Sequence, residues 1–326
     1  MTATLAQSLS FSDTWSLDMA MLASSASSSG GLANSPAWGT MDLFSGANMD
    51  VVPDPTTLGS ALPVLKVNYP AGSYQSPQSS SHNSSSFVNG PLGGAQFYFR
   101  PFPTSSIRAL LEYEVFIDNN FQFNQGGKLP GLYGSDGSVG SLCNGGNTSD
   151  GLTCWSMRLM WRTNGLGEAY AYFPVSDNSK ICQSRNTICS SLFGTSIDRG
   201  SFKFTQGQWM TIAMFVQLNN PGASDGSLVI YTDNGQTRAI SRGGVTYRSA
   251  GSNADDLLVR SVMFSTFFGG HTSDWASPVD TFLLFRNVRL SMANDRIANH
   301  SEPSLLRGTL SISWLLAFVF FSIILV

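Results

Sequence analysis

Between residues 154 and 173 the polar and apolar positions alternate with a period of two, the spacing that a β-strand imposes on its side chains. In Ser156-Met157-Arg158-Leu159-Met160-Trp161-Arg162, residues Ser156, Arg158, Met160 and Arg162 fall on one face and Met157, Leu159 and Trp161 on the other. The run Glu168-Ala169-Tyr170-Ala171-Tyr172-Phe173 places Glu168, Tyr170 and Tyr172 on one face, with Ala169, Ala171 and Phe173 behind. Thr163-Asn164-Gly165-Leu166-Gly167 between them predicts a hairpin loop, so the two polar faces share one side of a sheet.

The same reading predicts strands at 62–69, 95–99, 109–116, 154–162, 169–173, 200–204, 209–217, 226–232, 257–266 and 280–291. Asp233-Asn234-Gly235 signals a further hairpin. Apolar residues run consecutively through 211–216, which predicts a strand buried on both faces. Trp155, Trp161 and Trp209 read as core. No sustained helical period with caps and no internal repeat is present, which disfavours a propeller or β-helix. The pattern therefore predicts an all-β chain whose strands form a two-sheet sandwich with an apolar inner layer.

A length of 326 residues leaves room for one large β domain with tails. Only 12% of the residues are charged, and the net charge of -3 excludes a broad nucleic-acid surface. Any anion site must then concentrate its positive potential locally. Lysine is scarce, confined to Lys66, Lys128, Lys180 and Lys203. Lys128 sits in Gly126-Gly127-Lys128-Leu129-Pro130-Gly131-Leu132-Tyr133, which reads as a glycine-flanked turn where backbone can approach a ligand closely. Arginines and tyrosines on an exposed strand face are commonplace, but together with this lysine they point to a site for a polyanion.

These residues carry a family resemblance. The segments Gly126 to Gly134, Ser156 to Arg162 and Gly167-Glu168-Ala169-Tyr170-Ala171-Tyr172 resemble polysaccharide lyase family 14, the alginate and polyglucuronate lyases. Three more segments agree: Val64-Leu65-Lys66-Val67-Asn68-Tyr69-Pro70-Ala71-Gly72-Ser73, Gly200-Ser201-Phe202-Lys203-Phe204, and Phe264-Ser265-Thr266-Phe267-Phe268-Gly269-Gly270. The likeness spans roughly residues 36–292 and has the flavour of a fungal-type member.

The resemblance implies a β-jelly roll of two antiparallel sheets whose concave face binds a uronate chain and cleaves it by β-elimination. Elimination requires that the C5 proton be removed, that charge on the uronate carboxylate be neutralised, and that a proton reach the departing O4. Arg158 is expected at the carboxylate, with Lys128 sharing that work or serving in proton transfer. Tyr170 and Tyr172 are the candidates for moving the proton. Ser156 and Arg162 are expected to contact substrate, and His271, next to a segment that the family places at the groove, is a further contact or a plain surface histidine. Neither a cofactor nor a metal is implied. Glu112, Glu114 and Asp118 do not make the opposed carboxylate pair that a glycosidase needs, so hydrolysis ranks below a non-catalytic carbohydrate-binding surface protein as the alternative.

Cys143 and Cys154 flank one polar loop and Cys182 and Cys189 another, so two sequence-local disulfides are the simplest of three possible pairings. Zinc is disfavoured because the spacings are not Cys-x-x-Cys and none of the three histidines is near a cysteine. Disulfides and the sequons at Asn83, Asn147 and Asn299 agree with a secretory route.

The expected organisation is a low-complexity segment at 1–35, the lyase-like domain at 36–293, a spacer at 294–309 and a hydrophobic tail at 310–326. That tail is too short to be an ordinary spanning helix and has no trailing charge, so it reads as a signal for a glycosylphosphatidylinositol anchor, with a tail-anchored helix as the alternative. A cell-surface or extracellular monomer is expected, in contact with the membrane only through this tail. Residues 1–31 lack an export signal, which suggests a truncated start. Residues 24–35 are expected to be poorly ordered and the Ser-rich piece at 76–86 to be an exposed loop.

Overall fold

Leu111, Tyr113 and Val115 from one strand and Met157, Leu159 and Trp161 from another are buried in a single core. Two sheets packed face to face produce this when each strand turns alternate residues inward. The computed structural model describes residues 3–27, 31–74, 91–137, 143–253, 255–270 and 272–297. Among these lie β1 (Thr14–Ser16), β2 (Thr40–Ser45), β3 (Met49–Pro53), β4 (Pro63–Tyr69), β5 (Ala95–Arg100), β6 (Arg108–Ile117), β7 (Gly126–Ser135) and β8 (Cys154–Arg162). They are followed by β9 (Leu166–Tyr172), β10 (Thr195–Lys203), β11 (Trp209–Gln217), β12 (Gly226–Thr232), β13 (Thr237–Val245), β14 (Val259–Phe268) and β15 (Thr281–Ala293). Short helices α1 (Leu5–Ser8), α2 (Met19–Ala26) and α3 (Ser179–Cys182) accompany them.

One sheet has the order β13-β12-β11-β6-β15-β4-β3, with β1 against the C-terminal half of β15. The other runs β10-β9-β8-β7-β14-β5-β2. All pairings between named strands are antiparallel, as the jelly-roll expectation requires. Each of the ten predicted strands is present, and both predicted hairpins form, at Thr163–Gly165 and Asp233–Gly235. Trp155 and Trp161 are fully buried in the core, while Trp209 is half-buried on the outer face beneath Arg286.

Two expectations are corrected. The Gly126 to Tyr133 segment is no turn but the central strand β7, held between β8 and β14. Proline normally disqualifies a central strand because it cannot donate to the ladder. Here the register shifts between Leu129 and Leu132, so Pro130 falls in a bulge. Gly131 is required there, since a Cβ would overlap the carbonyl oxygen of Met157.

The folded unit also begins before residue 36. Strand β1 pairs Thr14 with Ser291 and Ser16 with Arg289, and Leu17, Leu22 and Leu32 enter the main core beside Trp38. Ala6, Leu9 and Phe11 cover Leu110, Phe215 and Val229 on the outer face of the first sheet. Elements this short carry too few apolar residues for periodicity to reveal them. His271, the Ser-rich piece, Asn83, Asn299 and the hydrophobic tail lie outside the described residues.

Candidate active site

The outer face of the second sheet gathers the polar side chains that alternate with its core residues. Lys128 on β7, Arg158 on β8 and Tyr170 on β9 come from three adjacent strands. Register opposes Lys128 to Met160, Arg158 to Tyr170, and Ser156 to Tyr172. Local alternation thus becomes a two-dimensional array, in which neighbouring strands bring their outward residues side by side.

Lys128 Nζ lies 4.4 Å from the centre of the Tyr170 ring and 5.8 Å from that of Phe267. The Arg158 guanidinium is 5.9 Å from the Tyr170 ring and 5.7 Å from the Tyr172 ring, and Arg162 is 5.9 Å from Tyr170. Three basic side chains therefore surround one phenol. Burial, then Arg158 and Arg162, pushes the Lys128 amine well below the usual lysine range, and Glu168 opposes the shift. Burial pushes the Tyr170 hydroxyl up, helped by Tyr172 and opposed by Arg158 and Arg162. Both groups are driven toward their uncharged forms.

Fixed partners hold the array in place. Arg158 Nη1 donates to Ser265 Oγ at 3.2 Å, and Ser265 Oγ donates to Gln96 Oε1 at 3.2 Å. Arg158 Nε is buried without a partner among the described residues. Ser156 Oγ donates to the carbonyl of Cys143 at 2.7 Å, which ties it to the disulfide-closed loop. Arg162 is engaged by Glu168, with Nη2 2.6 Å from Oε1.

Lys128, Ser156, Arg158, Arg162, Tyr170 and Tyr172 are thus brought together on one face. Both expected disulfides form, Cys143 with Cys154 and Cys182 with Cys189. The loop closed by the first disulfide and the chain that follows the second reach the tyrosines: Gly146 N–H donates to Tyr172 Oη and Gly194 N–H to Tyr170 Oη, each at 3.1 Å.

Several neighbours escaped sequence reasoning. Tyr98, packed on Tyr133 at 4.9 Å between ring centres, accepts a 3.1 Å hydrogen bond from Asn144 Nδ2. Burial and Tyr133 raise its hydroxyl pKa, against Arg158 and the Asn144 bond. Gln96 and Tyr98 alternate outward in β5, a signal present in the sequence but silent until β5 is known to flank β14. Trp275, 5.8 Å from Arg162, comes from a loop and has no periodic signal at all.

The family profile described as polysaccharide lyase 14 matches residues 58–288. The alginate lyase of the marine Aplysia kurodai is 28% identical, with a TM-score of 0.69 over 87% of this chain and 100% of that one. An alginate lyase from Chlorella virus superposes with a TM-score of 0.62 at 22% identity, covering 85% of this chain and 98% of the other, a likeness of fold. Exolysin of Paramecium bursaria Chlorella virus 1 is 27% identical over 195 residues, which are 56% of this chain and 29% of that protein, so the chain spans less than a third of that relative's length. With the profile covering most of the folded region, the chain belongs to polysaccharide lyase family 14.

Proposed function

We propose that the chain cleaves a β-1,4-linked uronan by β-elimination and leaves an unsaturated uronate end. The mannuronate chains of alginate are the first choice of substrate and polyglucuronate the second. The observation that carries this reading is the Lys128 amine set 4.4 Å from the Tyr170 ring, two groups whose proton affinities are driven apart. Such a split assigns acid and base. An amine with a lowered pKa suits a base, and a phenol with a raised one stays protonated to serve as an acid.

In this mechanism the Arg158 guanidinium, held in place by Ser265, meets the carboxylate of the reacting uronate, which makes the C5 proton more acidic. Lys128 takes that proton, the C5 electron pair forms the C4–C5 double bond, and the C4–O4 bond breaks. Tyr170 gives its proton to the departing O4. The ammonium of Lys128 then returns a proton to the Tyr170 phenolate, which restores both groups. Tyr172, edge-on to Tyr170 with ring centres 5.8 Å apart, orients it.

Base and acid lie on the same side of the sugar, so the arrangement suits mannuronate and glucuronate, whose C5 hydrogen and O4 share one face. It does not suit guluronate. The similarity to the Aplysia kurodai enzyme supports alginate as the polymer. The test is product absorbance near the ultraviolet edge against poly-mannuronate, poly-guluronate and polyglucuronate. A preference for poly-guluronate would sink the assignment. A chain that binds uronans and cleaves none would instead be a carbohydrate-binding module.

A further inference from the structure

Beside the phenols stands a carboxylate that the elimination does not use. Glu168 is fully buried, and both its oxygens are occupied. Oε1 accepts from Arg162 Nε at 2.8 Å and lies 2.6 Å from Nη2 in an ion pair, while Oε2 accepts from Ser196 Oγ at 2.5 Å and Arg199 Nε at 2.7 Å. Buried and engaged on both oxygens, Glu168 cannot itself reach a substrate. What it does is hold two guanidinium groups, from β8 and from β10, against one point.

The positive charge exceeds the negative. Arg162 and Arg199 share this single carboxylate, and the neighbouring Asp198 is taken by Arg242. Arg199 arises where the β9 and β10 register shifts, on the edge strand of the sheet, and its side chain is 34% exposed. Its Nη1 and Nη2 have no partner among the described residues, and neither has Arg162 Nη1. Arg162 is 5.9 Å from the Tyr170 ring, so the pair begins at the reacting centre and leads outward to the edge of the sheet.

We propose that Glu168 is a positioning residue that braces Arg162 and Arg199 into a second carboxylate-binding subsite, which takes the uronate unit next to the one that reacts. This rests on the uronan reading above. A guanidinium fixed by one carboxylate keeps the rest of its planar fork preorganised for another, at little entropic cost. Each sugar of a uronan carries a carboxylate, so a chain lying in the groove must present a second one close to the first. A neutral polysaccharide would gain nothing from the two cations.

The experiment compares Arg199→Ala, Arg199→Lys and Glu168→Gln with the native protein in steady-state kinetics on poly-mannuronate and in affinity electrophoresis through gels containing the same polymer. Arg199→Ala should raise KM about tenfold, the effect of one lost charge-assisted contact, with kcat held within about twofold. Arg199→Lys should recover part of the affinity, and Glu168→Gln should raise KM in the same direction with the melting temperature as its folding control. Native KM and native gel retardation in both Arg199→Ala and Glu168→Gln would overturn the subsite, as would a loss confined to kcat. Should the native chain bind poly-mannuronate but release no unsaturated product, the lyase reading falls, and weaker retardation of Arg199→Ala would still uphold the subsite.

Discussion

The backbone N–H of Gly194 donates to the phenolic oxygen of Tyr170 at 3.1 Å. Gly194 lies five residues beyond Cys189, whose disulfide to Cys182 anchors this loop, and the loop held by Cys143 and Cys154 gives Tyr172 the matching bond from Gly146. An N–H at a phenolic oxygen fixes the ring and stabilises the charge that forms when the proton leaves. The two disulfides therefore bear on chemistry as well as on stability.

Reduction is expected to lower kcat several-fold more than it raises KM. Loops of 11 and 7 residues' separation should also each contribute roughly 2–3 kcal/mol to stability by the loop-entropy relation. Thermal unfolding and kinetics with and without reductant check both points. A reduced protein that melts lower but keeps native kcat would show that the loops do not position the phenols.

Tyr170→Phe and Lys128→Ala should each lower kcat by about 10²–10⁴-fold, the range for loss of a general acid or base. Tyr172→Phe should cost far less. Single-turnover measurement of unsaturated product separates these effects from product release. If Lys128→Ala stays active while Tyr170→Phe is dead, one phenol both takes and returns the proton.

Lys128 must be unprotonated to act as base, so kcat/KM should rise with pH through its titration, at a pH well below the ordinary lysine range because burial, Arg158 and Arg162 hold the value down. Arg162→Gln removes one repelling cation and should move this acid limb to higher pH. A shift to lower pH in that variant would contradict the assignment.

Gly131→Ala should unfold the site from within. A methyl group there meets the Met157 backbone, which cannot swing aside as a flexible side chain would. A loss of more than about 2 kcal/mol is expected, the usual consequence of overpacking. Urea titration measures it, and native stability would place the β7 bulge elsewhere.

Glu112 and Glu114 illustrate how position, rather than residue type, decides chemistry. They share an outward face of β6, but each is paired, Glu112 with Arg289 and Glu114 with Arg286, on the sheet away from the phenols. No isolated carboxylate pair for hydrolysis results.

The sequence alone determined which residues share a face. The faces of β8 and β9 were legible because side-chain alternation is a local property of an extended backbone, and the Thr163–Gly165 hairpin joins these strands within a few residues. The all-β class and both disulfides were legible for the same reason of short range. Only the tertiary structure decided that Lys128 belongs to a central strand, because its neighbour β14 lies more than a hundred residues away and the bulge that accommodates Pro130 forms against β8. It alone placed Tyr98 beside Tyr133, put Arg199 on the carboxylate of Glu168, and wrapped residues 5–26 onto the sandwich. Each of these rests on strand order and register, which arise when distant apolar faces are buried together and which no local period encodes.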